Sequence, residues 1–216
     1  SSDSRTIASS SEDKTVKVWD LETGTLISTL KGHKERVRSV DFSPDDGLLA
    51  SCSEDKTIKI WDLTTGKCVQ TFEGHEEAVS AVKFSPINVN ILASSSTDKT
   101  LRVWDLKQGK NLKVLLGHSG IITSIAFSSN GELLASGSYD QSIKLWNLTT
   151  GECLHTMTGH KDWIWSIVFH PNKETIISGS ADGTAKFWSI QTGLCINSLE
   201  GYSNSGKALA IHPDGI

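Results

Sequence analysis

Five tryptophans set a beat in this chain. Trp19, Trp61, Trp104, Trp146 and Trp188 are separated by 42, 43, 42 and 42 residues. Each sits in a matching segment: KTVKVWDLETG, KTIKIWDLTTG, KTLRVWDLKQG, QSIKLWNLTTG and GTAKFWSIQTG. Glycine–histidine pairs keep the same beat at Gly32-His33, Gly74-His75, Gly117-His118 and Gly159-His160, and the next beat holds Gly201-Tyr202. A recurrence of this length means that one supersecondary unit is copied along the chain. Such a unit is too small to bury its own apolar faces, so the copies must stack against one another.

Within one period the residues read as four short strands. RVRSVDF and LLASCS are rich in β-branched and apolar residues and are joined by the turn SPDDG. TIKIW alternates, with Ile58 and Ile60 on one face and Lys59 and Trp61 on the other. EDK makes the tight turn before it, TTG the turn after it, and KCVQTF the fourth strand. No stretch holds a helical periodicity. The expected fold is all-β, built from four-stranded antiparallel sheets stacked face against face.

Period, Gly-His and Trp-Asp together resemble the tryptophan–aspartate (WD) repeat family of β-propellers. Three copies carry an intact pair, Trp19-Asp20, Trp61-Asp62 and Trp104-Asp105, and the last two drift to Trp146-Asn147 and Trp188-Ser189. The resemblance spans essentially the whole chain and implies one propeller domain over residues 1–216, with five WD-type repeats of about 42 residues. The chain starts at the second strand of one repeat and stops on a first strand, KALAIHP. That strand would clasp the N-terminal three if five blades closed, and five lies in the range of about four to eight seen in propellers. Tyr202 stands where the first repeat would want its histidine, and there is no initial methionine. Both fit better with a segment of a longer array, whose uncovered terminal blades would self-associate.

Each full repeat also holds a histidine, a serine, an aspartate and a tryptophan. They are His33, Ser51, Asp55 and Trp61; His75, Ser94, Asp98 and Trp104; His118, Ser136, Asp140 and Trp146; His160, Ser178, Asp182 and Trp188. A Ser-His-Asp set is the make-up of a hydrolase. Fourfold repetition argues instead for a joint, since a scaffold needs identical joints whereas an enzyme rarely needs identical active sites. The resemblance implies a buried network in which carboxylate and hydroxyl satisfy both imidazole nitrogens. One histidine per repeat gives no pair at zinc-ligand spacing, so neither a metal nor another cofactor is expected. The basic slot two residues before each tryptophan (Lys17, Lys59, Arg102, Lys144, Lys186) is read as long stems laid over neighbouring blades with solvated heads. Cys68, Cys153 and Cys195 share one repeated slot and are read, with Cys52, as small buried apolar residues of a reduced, intracellular protein.

Function is then sought where the copies disagree. The slots after each Gly-His read Arg36 and Arg38, Ala78 and Ser80, Ile121 and Thr123, Trp163 and Trp165. The slots before each turn aspartate read Glu12, Glu54, Thr97, Tyr139 and Ala181. By the resemblance both open onto one rim around the central channel. An arc of Tyr139, Trp163 and Trp165 beside Asp162 would face another of Arg36, Arg38 and Glu54. Exposed Trp, Tyr and Arg are common anchors of protein interfaces.

The net charge of −4 gives no basic field for nucleic acid. No apolar run reaches the roughly 20 residues of a membrane helix, and the N-terminus carries no signal-peptide pattern. The reading is a cytoplasmic, non-catalytic scaffold that binds a protein or peptide on its rim, part of a larger signalling or regulatory protein. A five-bladed glycan-binding lectin is the alternative, and a hydrolase using one Ser-His-Asp set is the third.

Overall fold

The computed structural model describes residues 1–171, 174–201 and 209–210. Each period forms one antiparallel sheet. The first holds β1 (Thr6–Ser10), β2 (Thr15–Asp20) and β3 (Leu26–Lys31). The second holds β4 (Val37–Phe42), β5 (Leu48–Ser53), β6 (Ile58–Asp62) and β7 (Lys67–Phe72). The third holds β8 (Val79–Phe84), β9 (Ile91–Ser96), β10 (Leu101–Asp105) and β11 (Lys110–Leu115). Then come β12 (Ile122–Phe127), β13 (Leu133–Ser138), β14 (Ser142–Asn147) and β15 (Cys153–Thr158). The last sheet holds β16 (Ile164–Phe169), β17 (Thr175–Ser180), β18 (Thr184–Ser189) and β19 (Cys195–Glu200). Strands pair in sequence order throughout, and among the described residues the first sheet has three strands where the others have four. These sheets are propeller blades, one per repeat, and no helix occurs among the described residues. The expected C-terminal strand KALAIHP lies outside the described residues except for Leu209 and Ala210, and so does Tyr202.

The turn before each third strand imposes a backbone cost that its aspartate meets. Lys14, Lys56, Lys99 and Gln141 all take φ of 68–70°, in the left-handed region, and the fifth repeat places Gly183 there. In blade two, Asp55 Oδ1 accepts the backbone N–H of Thr57 at 3.0 Å and its hydroxyl at 2.7 Å, closing the turn around the strained residue. TTG ends on Gly66 with φ of 68°, where a side chain would be strained.

Two compact units divide the chain, Ser1–Lys113 and Val114–Ile216. In the first, Val16, Val18 and Leu30 of blade one pack on Val37, Leu49 and Trp61 of blade two. Blade two in turn lays Ala50, Cys52, Ile58, Ile60 and Phe72 against Val79, Val82, Leu92 and Trp104 of blade three. In the second unit Ala135, Ile143, Leu145 and Met157 meet Ile164, Ile167, Ile176 and Trp188. Trp61 is therefore as buried as Ile58 and Ile60, on the opposite face, because both faces of an inner blade are covered.

Two expectations need correction. Cys52 is buried, but Cys68, Cys153 and Cys195 are exposed. Their slot opens the fourth strand, which forms the outer edge of its sheet; the Cys68 thiol donates to the Gln70 carbonyl two residues on. The basic row lies over its own blade rather than a neighbour. Lys59, Lys144 and Lys186 donate across the sheet to Thr71, Thr156 and Ser198 at 3.1, 2.8 and 3.1 Å. Lys17 and Arg102 sit 5.9 Å over the rings of Trp19 and Trp104.

Candidate functional site

The Gly-His loop enters each of blades two to five beside that blade's own tryptophan. At Gly117 φ is 150°, and an added Cβ would lie 3.4 Å from the edge of Trp146. That φ, which other residues rarely adopt, favours glycine in the turn that seats His118 against the sheet. His118 Nδ1 is 2.8 Å from Asp140 Oδ2, Nε2 is 2.8 Å from Ser136 Oγ, and Trp146 Nε1–H donates to the same oxygen at 2.9 Å. The arrangement recurs at His33 with Asp55 (2.9 Å), Ser51 (2.8 Å) and Trp61. It recurs again at His75 with Asp98, Ser94 and Trp104, and at His160 with Asp182, Ser178 and Trp188. Each aspartate takes a further backbone N–H from the residue after the histidine, such as Ser119 to Asp140 at 2.9 Å.

Donor and acceptor balance follows directly. The indole donates to the serine oxygen, the serine hydroxyl donates to Nε2, and Nδ1–H donates to the carboxylate, so a neutral imidazole leaves no unpaired group. Burial holds His33 and His160 below their ordinary value, partly offset by the carboxylate beside each. Burial alone would raise Asp55. The Thr57 hydroxyl, the Lys34 N–H and His33 outweigh it and bring its pKa to about 2. Asp98, Asp140 and Asp182 are held low by the same balance. The serine hydroxyls are fully buried and bonded both to an imidazole and to an indole, the arrangement of a joint between loop and sheet. His118→Ala is expected to cost roughly 1–3 kcal/mol by stranding buried polar groups. A denaturant midpoint unchanged from wild type would refute that.

The residues that differ between repeats lie at one end of the blades. Arg38, Ser80, Thr123 and Trp165 each occupy a bulge between first and second strands, as the register slips from Val37 to Ser39 and from Ile164 to Ser166. A bulge turns its extra residue out of the ladder. Beside it, the turn slot closes onto the entry slot, with Glu54 N–H donating to Arg36 O at 3.0 Å and Ala181 N–H to Trp163 O at 2.8 Å.

In the first unit these slots pair by charge: Glu12 with Arg36 at 2.7 Å and Glu54 with Arg38 at 2.8 Å. In the second they pair by stacking. Tyr139 and Trp163 lie parallel, 4.2 Å between centroids and 4° between planes. Trp165 stands edge-on to both, at 5.3 and 5.9 Å. Trp163 remains 44% exposed, while Trp165 is half-buried. Asp162 fixes the strand entry, its Oδ1 accepting the Trp163 N–H at 2.8 Å. Sequence reasoning singled out these residues as candidates but missed that the turn slot of one blade meets the entry slot of the following blade, as Glu12 meets Arg36 and Tyr139 meets Trp163. The signal was present, since Glu12 and Arg36 stand as far apart in sequence as Tyr139 and Trp163.

No group of three His, Cys, Asp or Glu side chains suited to a metal ion occurs among the described residues. Nor is any helix among them long and apolar enough to cross a membrane.

Stacked blades pinned by a His-Ser-Asp-Trp network define a β-propeller repeat protein. The profile of the WD domain, G-beta repeat, matches residues 1–20, 24–62, 66–105, 109–147 and 151–189, and the chain belongs to that family. Single stretches of about one repeat are similar to parts of longer curated proteins. Nuclear distribution protein nudF 2 of Talaromyces marneffei is 54% identical over 41 residues, 19% of this chain and 9% of that protein. The F-box-like/WD repeat-containing protein TBL1X of Mus musculus is 56% identical over 39 residues, 18% of this chain and 7% of that protein. The WD40 repeat-containing protein HOS15 of Arabidopsis thaliana is 50% identical over 40 residues, 18% and 6%. WD-repeat proteins are generally protein-interaction scaffolds.

Proposed function

We propose that this chain is a non-catalytic interaction scaffold and that the aromatic cluster of Tyr139, Trp163 and Trp165, flanked by Asp162, is its partner-binding surface. The observation that carries this reading is the exposed indole of Trp163. Tyr139 covers one of its faces and Trp165 braces it edge-on, so a large apolar ring is held rigid with its outer face in solvent. A preorganised aromatic gives up little entropy on binding, which suits an interface anchor. The ion pairs of Arg36 and Arg38, in the first unit, meet their charge locally, which makes these side chains poorer anchors than an exposed aromatic ring. The four histidine networks are spent on holding loops to sheets and leave catalysis no role. In this reading the protein works in the cytoplasm as a docking part of a signalling or regulatory assembly.

The test is a peptide selected on the full chain from a displayed library and titrated by tryptophan fluorescence. Trp163→Ala is expected to weaken binding by about 2 kcal/mol, roughly thirtyfold, with an unchanged melting temperature. An affinity unaffected by Trp163→Ala would sink the assignment. Several equivalent glycan sites found by calorimetry would replace it with the lectin reading.

A further inference from the structure

The slot two residues after each Gly-His histidine holds Glu35, Glu77, Gly120 and Asp162 in turn. In the first unit the acid in this slot is answered from the preceding blade. Lys14 Nζ lies 3.5 Å from the Glu35 carboxylate, and Lys56 Nζ lies 3.6 Å from that of Glu77. Each ammonium also donates to the carbonyl one residue before its acid, Lys14 to Lys34 O at 2.7 Å and Lys56 to Glu76 O at 2.6 Å. One device is thus used twice. A turn residue with φ of 70° carries a lysine across to the next blade and neutralises the acid there.

Blade five keeps the acid and loses the lysine. The corresponding turn of blade four, which also stacks Tyr139 on Trp163, carries Gln141 with φ of 68°. An amide offers hydrogen bonds but no charge. Among the described residues no lysine, arginine or histidine pairs with the Asp162 carboxylate. Its Oδ1 accepts the Trp163 N–H at 2.8 Å, and its main-chain carbonyl accepts the Ser180 hydroxyl at 3.0 Å. The carboxylate is therefore held at the root of the exposed indole.

The same loop has Trp163 and Trp165 where blade two has Arg36 and Arg38. In blade two those cations are matched to the carboxylates of Glu12 and Glu54. Blade five presents the converse, an aromatic face and a carboxylate that lack a cation.

We propose that Trp163 and Asp162 together take an arginine side chain of a protein or peptide partner. The guanidinium lies on the outer face of the indole and donates to the Asp162 carboxylate. This rests on the proposal that the aromatic cluster is the partner-binding surface, and it names the group bound there. A guanidinium is flat, weakly hydrated and rich in in-plane N–H donors, so it can stack on a ring while its edge meets a carboxylate. Tyr139 occupies one face of Trp163 and leaves the other to the ligand. A lysine ammonium is a compact, strongly hydrated point charge and fits the same flat face less well.

The test uses the full chain and peptides selected on it from a displayed library, titrated by tryptophan fluorescence. The selected peptides are expected to share an arginine. Replacing it by citrulline, which keeps the shape and loses the charge, is expected to weaken binding about tenfold. Asp162→Asn keeps an oxygen for the Trp163 N–H, and in that variant the same replacement is expected to cost less than about threefold. Gln141→Lys reinstates the lysine of the other turns. Lys14, Lys56 and Lys99 already take this backbone, so the fold is expected to survive. The new ammonium is expected to weaken the arginine peptide about tenfold and to leave its citrulline form unchanged.

Peptides that need Trp163 but carry no arginine would overturn the arginine assignment and leave the partner surface standing. So would a citrulline or lysine form that binds wild type as tightly, or an arginine preference that is undiminished in Asp162→Asn and Gln141→Lys. Peptides that bind Trp163→Ala as tightly as wild type, or a library that yields no binder, would overturn both.

Discussion

Trp146→Ala is expected to remove about 3–5 kcal/mol of stability, the range for truncating a fully buried large aromatic. The ring is 2% exposed on β14, an inner strand of its sheet. It lies against the Gly117 backbone and T-shaped to His118 at 6.4 Å. Truncation empties the space that fixes the Gly-His loop and removes the indole donor from Ser136. Trp146→Phe separates the two effects. It keeps most of the ring but loses the N–H, so its expected cost is about 1 kcal/mol plus the residual void. Urea midpoints at constant slope give both numbers. Were Trp146→Ala to cost under about 1 kcal/mol, the indole would be packing filler and not the brace of the joint.

That the tryptophan braces a joint was implied by the family resemblance that the repeated motifs carry, and not by its spacing alone. The strands were legible as well: RVRSVDF, LLASCS, TIKIW and KCVQTF match β4 to β7 to within one residue at each end, since alternation and turn residues mark a strand wherever one face is buried. What the sequence hid lies between repeats. Nothing local in Glu12 says that it meets Arg36, or in Tyr139 that it stacks on Trp163, because each pair is formed by two blades. The cysteine slot misled for a related reason. A thiol in a strand is usually inside, but the fourth strand is an edge whose opening residue faces out.

The four networks also predict how the fold responds to acid. Burial lowers His33 and His160 from an ordinary value of 6.5. Their unfolded forms therefore take up protons first, and stability falls as pH drops below about 6.5. Asp55 is carried from 3.8 to about 2, so its contribution is complete above the unfolded value and is lost as pH falls toward 2. Its side chain is only 6% exposed, and the shift corresponds to roughly 2 kcal/mol. Asp98, Asp140 and Asp182 act in the same direction. Every group cited binds protons more tightly in the unfolded chain, so the melting temperature is expected to level off above about pH 7, decline gently toward pH 5, and drop steeply below about pH 4. Asp140→Asn should flatten the lower limb, because the amide no longer gives the unfolded chain an extra proton to bind. It should be less stable than wild type at neutral pH and approach it in acid. If both proteins lost stability in parallel down to pH 2, the carboxylate of Asp140 would have no part in holding the Gly-His loop to its blade.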